Sequence, residues 1–177
     1  MKGRELWRVR HLEESDKLES FRCGDPDLDD FLLKDSKLYQ EHLLAKTYVL
    51  ERQDTIIAYF SLANDCISLR DFPTVTEFNR FRKVRFANSK RIKTYPAVKI
   101  CRFAVSDEIK KLGIGSGLLD MIKVGCLSKN NAACRFLTVD AYSSAVSFYE
   151  RNGFMLLQQN DGKANTSMMF YDLINAV

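Results

Sequence analysis

Three groups of residues in this chain have the type and spacing for chemistry. The first is the run Lys110, Lys111, Leu112, Gly113, Ile114, Gly115, Ser116 and Gly117. It follows an apolar, strand-like segment at 99–105 and a polar connector. It opens a helical pattern in which Ile114, Leu118, Leu119, Ile122 and Cys126 share one side. Strand, glycine turn and helix together make a phosphate-binding arrangement. Glycines let backbone N–H groups approach an anion, and the first helical turn adds unpaired donors and the positive end of its dipole. The second is Tyr149, in the segment Phe148-Tyr149-Glu150-Arg151-Asn152-Gly153-Phe154. The third is a series of cations, Arg80, Arg82, Lys83, Arg85, Lys90, Arg91 and Lys93, that no acidic residue interrupts. Such a series is either a solvated face or a track for RNA phosphates.

Several ligands use a glycine turn, and the residues choose among them. A Walker-type loop closes on Gly-Lys-Ser/Thr, whereas Leu118 follows the last glycine here. A dinucleotide fingerprint needs a third glycine where Leu118 stands, and a tighter step from the strand than the connector 106–112 allows. What remains, Lys110-Lys111-Leu112-Gly113-Ile114-Gly115, resembles the acyl-CoA pyrophosphate loop of the GCN5-related N-acetyltransferase (GNAT) superfamily, with Lys110 where Gln or Arg is usual. One strand later, the stretch from Ala141 to Phe154 is similar to the last helix of that superfamily and the Gly-Phe step that follows it. The two likenesses span residues 97–157. Phe21-Arg22-Cys23-Gly24, the Leu28-Asp29-Asp30-Phe31-Leu32 helix and Tyr59-Phe60-Ser61-Leu62-Ala63 further resemble the branch containing bacterial toxins that acetylate aminoacyl-tRNA.

The resemblance implies acetyl-CoA as co-substrate and no metal. It implies that backbone groups of Phe103, Ala104 and Val105 pair with the pantetheine arm and meet the thioester oxygen. The pyrophosphate is then expected on the N–H groups of Lys111, Leu112, Gly113, Ile114, Gly115 and Ser116, with Lys110 supplying charge. Tyr149 falls where the superfamily places a tyrosine near the CoA sulfur, and is expected to protonate the departing thiolate. Tyr142 stands where many relatives have Asn, a departure that touches one CoA-side hydrogen bond. For a general base only Asp65 and Glu77 present themselves. A lysine acceptor, with a pKa of about 10.4, needs a base, whereas an α-amine of about 7.7–8.0 is already substantially neutral, so an α-amine acceptor is favoured. Expected partners are an aminoacyl-tRNA, an antitoxin protein and a second copy in a homodimer. A small amine or protein amine as acceptor, and a CoA- or RNA-binding module without turnover, are the alternatives.

The elements that must position these groups follow from composition and pattern. A chain of 177 residues, 46% hydrophobic, is sized for one domain over 1–177, and the order of elements implies an α/β fold of GNAT type, a mixed central sheet with helices on both faces. No apolar run is long enough to span a membrane, and the amino end lacks a signal-like segment, so a soluble cytoplasmic protein is expected. The five cysteines are scattered without Cys-x-x-Cys spacing and read as reduced core residues. A net charge of +4 is too small to establish a nucleic-acid partner. Strands are expected at 5–11, 47–50, 55–62, 99–105 and 134–140, with a final hairpin of 155–157 and 167–173 turning at Asp161-Gly162. Helices are expected from Pro26, N-capped by Asp25, to about Leu44, over 70–86 with Phe78 and Phe81 facing the core, after the glycine turn, and around Tyr149.

Overall fold

The computed structural model describes residues 7–87, 92–128, 132–157 and 165–176. From the amino end its elements are β1 (Trp7–His11), α1 (Pro26–Asp30), a π-helical turn (Phe31–Asp35), α2 (Ser36–Glu41), β2 (Lys46–Arg52), β3 (Thr55–Ser68), α3 (Val75–Arg85), β4 (Thr94–Val105), α4 (Ile114–Ser128), β5 (Phe136–Tyr142), α5 (Val146–Arg151), β6 (Met155–Leu156) and β7 (Thr166–Asp172). The strands form one mixed seven-stranded sheet in the order β1-β2-β3-β4-β5-β7-β6. Packing gathers the chain into two compact units, one within Met1–Ala63 and Ile100–Leu119, the other within Asn64–Lys99 and Asp120–Val177.

In the first unit, β1 pairs antiparallel with β2, and β2 with β3. The β2–β3 turn is the two-residue kind: Gln53 and Asp54 both take positive φ (50° and 60°), and their twist matches that of the flanking strands. The core gathers Leu12, Leu18, Phe21, Cys23, Phe31, Leu32, Val49, Ile56, Tyr59 and Ala104. Asp25 caps α1, its carboxylate accepting from the N–H groups of Asp27 and Leu28, with Pro26 in the first position as the sequence predicts. The expected helix runs without a gap from Pro26 to Glu41, short of Leu44, and its middle is π-helical. A π-turn buries Phe31 and Leu32 together, and the chain leaves α2 through Leu43 in the left-handed region (φ 56°). Arg10 joins this unit's edge, donating to Glu51 at 2.6 Å and to both oxygens of Asp16 at 2.7 Å.

The second unit has an aromatic core. Phe78 and Phe81 of α3 pack with Ile67, Tyr95, Ala97, Phe136 and Phe170, as their spacing predicts. Two strands are longer than the sequence suggests. β3 continues through the polar Asn64 and Asp65 to Ser68, and β4 starts before Pro96 because Tyr95 is buried and stacks on Phe86 at 4.2 Å. β5 pairs antiparallel with β7, and β6 with β7, which is the expected final hairpin; its predicted turn at Asp161-Gly162 lies outside the described residues.

The Arg10 network gives a stability test. Its hydrogen bond holds the Asp16 carboxyl below the usual range, so Asp16 contributes stability that is complete above about pH 4 and lost as pH falls through its lowered folded value. Arg10→Met leaves Asp16 and Glu51 unpaired with side chains only 10% and 16% exposed, and the expected loss is about 3 kcal/mol. Urea unfolding at pH 7 and pH 3 checks both parts: the gap between wild type and variant is largest at pH 7 and narrows in acid.

Candidate active site

β4 delivers the chain to the first candidate site. Its ladder continues past Val105, since the Ser106 N–H donates to Ile57 O at 2.8 Å. Ala104 is buried, and Phe103 and Val105 are half-buried. A 3-10 turn at Asp107–Ile109 anchors Ile109 in the interior, and the chain then passes through two left-handed residues, Lys111 (φ 68°) and Gly113 (φ 78°). The expected glycine turn is thus narrower than the run suggests, because Gly115 and Gly117 already lie in the first turn of α4. The first helical bond runs from Gly117 N–H to Gly113 O at 3.1 Å. The N–H groups of Ile114, Gly115 and Ser116 therefore lie at the start of a 15-residue helix with no acceptor inside it. Lys111, Leu112 and Gly113 are exposed. This end of α4 has the donors and dipole for an anion such as a pyrophosphate.

Lys110 is engaged elsewhere. Its ammonium donates to the Cys23 carbonyl and pairs with Asp107 Oδ1 at 2.5 Å. The Asp107 N–H donates to Arg22 O at 3.1 Å. Gly24 takes φ 80°, a conformation strained for other residues, and a Cβ there would stand 2.9 Å from Asp107 Oδ2 and displace that carboxylate. The contact between residues 22–24 and the connector is absent from the sequence reading, which takes Gly24 only as a stop before α1. Burial pushes the Cys23 thiol up to about 11, with a hydrogen bond to Asp29 adding to the shift, so that this cysteine is an unreactive core group.

In the second unit, α5 carries Tyr149, which is 5% exposed and packs edge-on to Phe148 and Phe154 at 5.2 and 5.3 Å. Lys123 of α4, itself buried, fixes the end of this helix. It donates to Asn152 O at 2.9 Å, pairs with Asp120 at 3.0 Å and lies over the Tyr171 ring at 4.5 Å. Gly153 takes φ 83°, a conformation strained for other residues, and a Cβ there would press on Tyr171 at 3.0 Å. Two other buried tyrosines satisfy their hydroxyls: Tyr59 donates to Leu28 O at 2.6 Å and Tyr95 to Ile92 O at 3.3 Å. Among the described residues none accepts from or donates to the Tyr149 hydroxyl. Desolvation raises its pKa above the ordinary 10, so the phenol stays protonated at any physiological pH.

The two candidate bases differ in setting. Glu77 is exposed and belongs to the N-cap of α3, its N–H donating to Thr74 Oγ1 at 3.2 Å. Asp65 of β3 accepts from the buried Thr138 hydroxyl at 2.5 Å. The cation series also divides. Arg85 is tied down, 3.7 Å from Asp172 and stacked over Phe81 and Phe170, while Arg82 lies over Phe78 and donates to Ile92 O at 3.4 Å. Arg80, Lys83 and Lys93 are exposed, and Lys90 and Arg91 lie outside the described residues. Among the described residues no three His, Cys, Asp or Glu side chains gather as a metal site, and no helix is long and apolar enough to cross a membrane.

A β-strand thus leads through a left-handed turn to an anion-ready helix start, within a mixed seven-stranded sheet. Residues 84–172, half of the chain, match the acetyltransferase (GNAT) domain, and the chain belongs to that family. It is 25% identical over 142 residues, 79% of each chain, to a tRNA-acetylating toxin of Mycobacterium tuberculosis. Its fold is that of a tyrosine-to-phenylalanine variant of KacT (TM-score 0.75, 22% identity, 96% of each chain). It is also that of AtaT complexed with acetyl-methionyl-tRNAfMet (TM-score 0.72, 20% identity, 96% of each chain). A tyrosine-to-phenylalanine variant of AtaT bound to acetyl-CoA and the C-terminus of the antitoxin AtaR aligns at TM-score 0.74 with 19% identity, covering 97% of this chain and 96% of that one.

The split within the cation series is testable by stability alone. Arg85→Gln removes a side chain shared by Asp172 and two rings, with an expected loss of about 1–3 kcal/mol, whereas Arg80→Gln and Lys83→Gln are expected to stay within about 0.5 kcal/mol of wild type. Chemical denaturation of the three variants checks the ranking.

Proposed function

We propose that this acetyltransferase moves the acetyl group of acetyl-CoA to the α-amine of an aminoacyl-tRNA, as a cytoplasmic toxin held in check by an antitoxin protein. The observation that carries the chemistry is a buried tyrosine whose hydroxyl no described residue engages, on the helix matching the family's tyrosine position. The pyrophosphate lies on the N–H groups of residues 111–116, and the pantetheine arm pairs with backbone of Phe103, Ala104 and Val105. The neutral amine attacks the thioester carbonyl, a C–N bond forms, and the C–S bond breaks. Sulfur takes the Tyr149 proton, and the proton lost by the amine restores the phenol, leaving an amide and CoA thiol. An α-amine needs no strong base, which agrees with an Asp65 that accepts from the Thr138 hydroxyl and a Glu77 whose exposed carboxylate accepts from Thr74 Oγ1 at 3.4 Å at the start of α3.

For the acceptor, support comes from likeness to a tRNA-acetylating toxin over most of the chain and from exposed Arg80, Lys83 and Lys93. These side chains contact RNA phosphates in this reading, so tRNA affinity falls with salt by about 0.7–0.9 in log–log slope per contact. Changing all three to Gln is expected to flatten the slope by about 2 and to lower acetylation of charged tRNA, with acetyl-CoA affinity unchanged. Filter binding from low to high salt, beside acetylation of charged tRNA and of free amines, is the test. Absence of tRNA binding at low salt together with efficient acetylation of a free amine overturns the acceptor assignment.

Tyr149→Phe keeps the packing and removes the proton. The expected fall in kcat is about 10²-fold, with acetyl-CoA affinity retained. In the wild type, kcat/KM rises as the α-amine deprotonates at about 7.7–8.0 and stays level to about pH 10, because burial keeps the phenol protonated beyond that point. Wild-type kcat in Tyr149→Phe when chemistry is rate-limiting contradicts the assignment, and a descending limb between pH 8 and 9 contradicts the raised pKa.

A further inference from the structure

We propose that Lys110 is a positioning residue, and that residues 22–24 with Asp107 form a clasp holding its ammonium, which keeps the donor-rich turn in shape. This rests on the pyrophosphate being bound at that turn. Lys110 stands at the motif position expected to supply charge to the pyrophosphate, yet its ammonium is taken by the Cys23 carbonyl and the Asp107 carboxylate, inside the same unit. The contacts are mutually dependent. Asp107 reaches the lysine because its own N–H is fixed on Arg22 O and because Gly24 has no side chain in the way. Cys23 offers its carbonyl because its side chain is buried in the core and its N–H donates to Asp29 Oδ1 at 2.8 Å. Asp25, next in line, is committed to capping α1.

The clasp lies just before the strained part of the loop. Lys111 adopts a left-handed φ without being glycine, a conformation that persists only where neighbours enforce it. Lys110 is fixed on one side of it, and Gly113 and the start of α4 lie on the other. Releasing Lys110 lets the loop relax toward ordinary φ and turns its N–H groups away from a common anion. A carboxylate beside an anion site is otherwise unfavourable, since Asp107 repels a pyrophosphate. Its presence is explained by the position it gives Lys110.

That repulsion makes the test one of sign. Acetyl-CoA affinity is measured by calorimetry for the wild type, Asp107→Ala, Asp107→Asn, Lys110→Ala and the Asp107→Ala/Lys110→Ala double variant. Acetyl transfer from S-acetylpantetheine, which lacks the pyrophosphate, is measured beside it. Asp107 and Lys110 are each about half exposed, so the variants are expected to fold, and a melting curve verifies it. The clasp predicts that Asp107→Ala weakens acetyl-CoA binding by about tenfold, Lys110→Ala by a similar factor, and the double variant no further. It also predicts that Asp107→Asn, which still accepts from the ammonium, recovers most of the loss, and that S-acetylpantetheine turnover is unaffected throughout. If Asp107→Ala binds acetyl-CoA as tightly as wild type or more tightly while Lys110→Ala weakens it, Lys110 contacts the pyrophosphate directly and the clasp is overturned, with the donor site intact. A folded wild type that binds no acetyl-CoA overturns the donor site and the clasp together.

Discussion

The first N–H groups of α4 find no acceptor among the described residues. Any helix leaves its first N–H groups unpaired, and most are capped by a side chain, as Asp25 caps α1 and Thr74 caps α3. Here no Ser, Thr, Asn or Asp stands in the cap position: Gly113 does, preceded by a leucine and two lysines. The donors are thereby left for an external anion. Much of the first unit serves this arrangement, from the β4 ladder running on to Ser106, through the 3-10 turn anchored by Ile109, to the segment 22–24 packed on Asp107.

The second unit uses burial for a different end. A phenol in a dry setting is a poor acid by equilibrium standards, and a thiolate of ordinary pKa about 8.5 does not take its proton for nothing. The transfer is about 2 kcal/mol uphill even from an unperturbed phenol at 10, and burial adds to that. Proton donation is therefore useful only while the C–S bond is breaking and negative charge is accumulating on sulfur, which is when a preorganised hydroxyl with no competing partner is most effective. The rigid setting of Tyr149 matches this requirement. Two aromatic edges, the buried Lys123 ammonium on Asn152 and a glycine against Tyr171 leave α5 little room to shift.

The parts of this structure that were legible in the sequence are those set by local chemistry. The Asp25-Pro26 helix start, the hairpins, the inward Phe78 and Phe81 and the strand–turn–helix motif each follow from residues near one another in the chain. What escaped is set by partners far away. β4 begins before a proline because Tyr95 finds Phe86 and the second unit's core; Arg82 and Arg85, equal to Arg80 and Lys83 in any charge count, are drawn onto aromatic rings and Asp172. Lys110 reads as a phosphate ligand from its motif and becomes a structural cation only once residues 22–24 are folded beside it. Gly115 and Gly117 read as turn residues and are helical, because one left-handed glycine, with Lys111, already completes the reversal.

The central claim is acetyl transfer to the α-amine of an aminoacyl ester on tRNA, and the most direct measurement is identification of the acetylated atom. The enzyme is incubated with isotopically labelled acetyl-CoA and a mixture of charged tRNAs, free polyamines and a lysine-rich protein, followed by nuclease digestion and mass spectrometry. Label on the α-nitrogen of aminoacyl-adenosine is the predicted result, with the lysine side chains and polyamines unlabelled. Label confined to polyamine or lysine nitrogens, with the aminoacyl ester untouched, contradicts it.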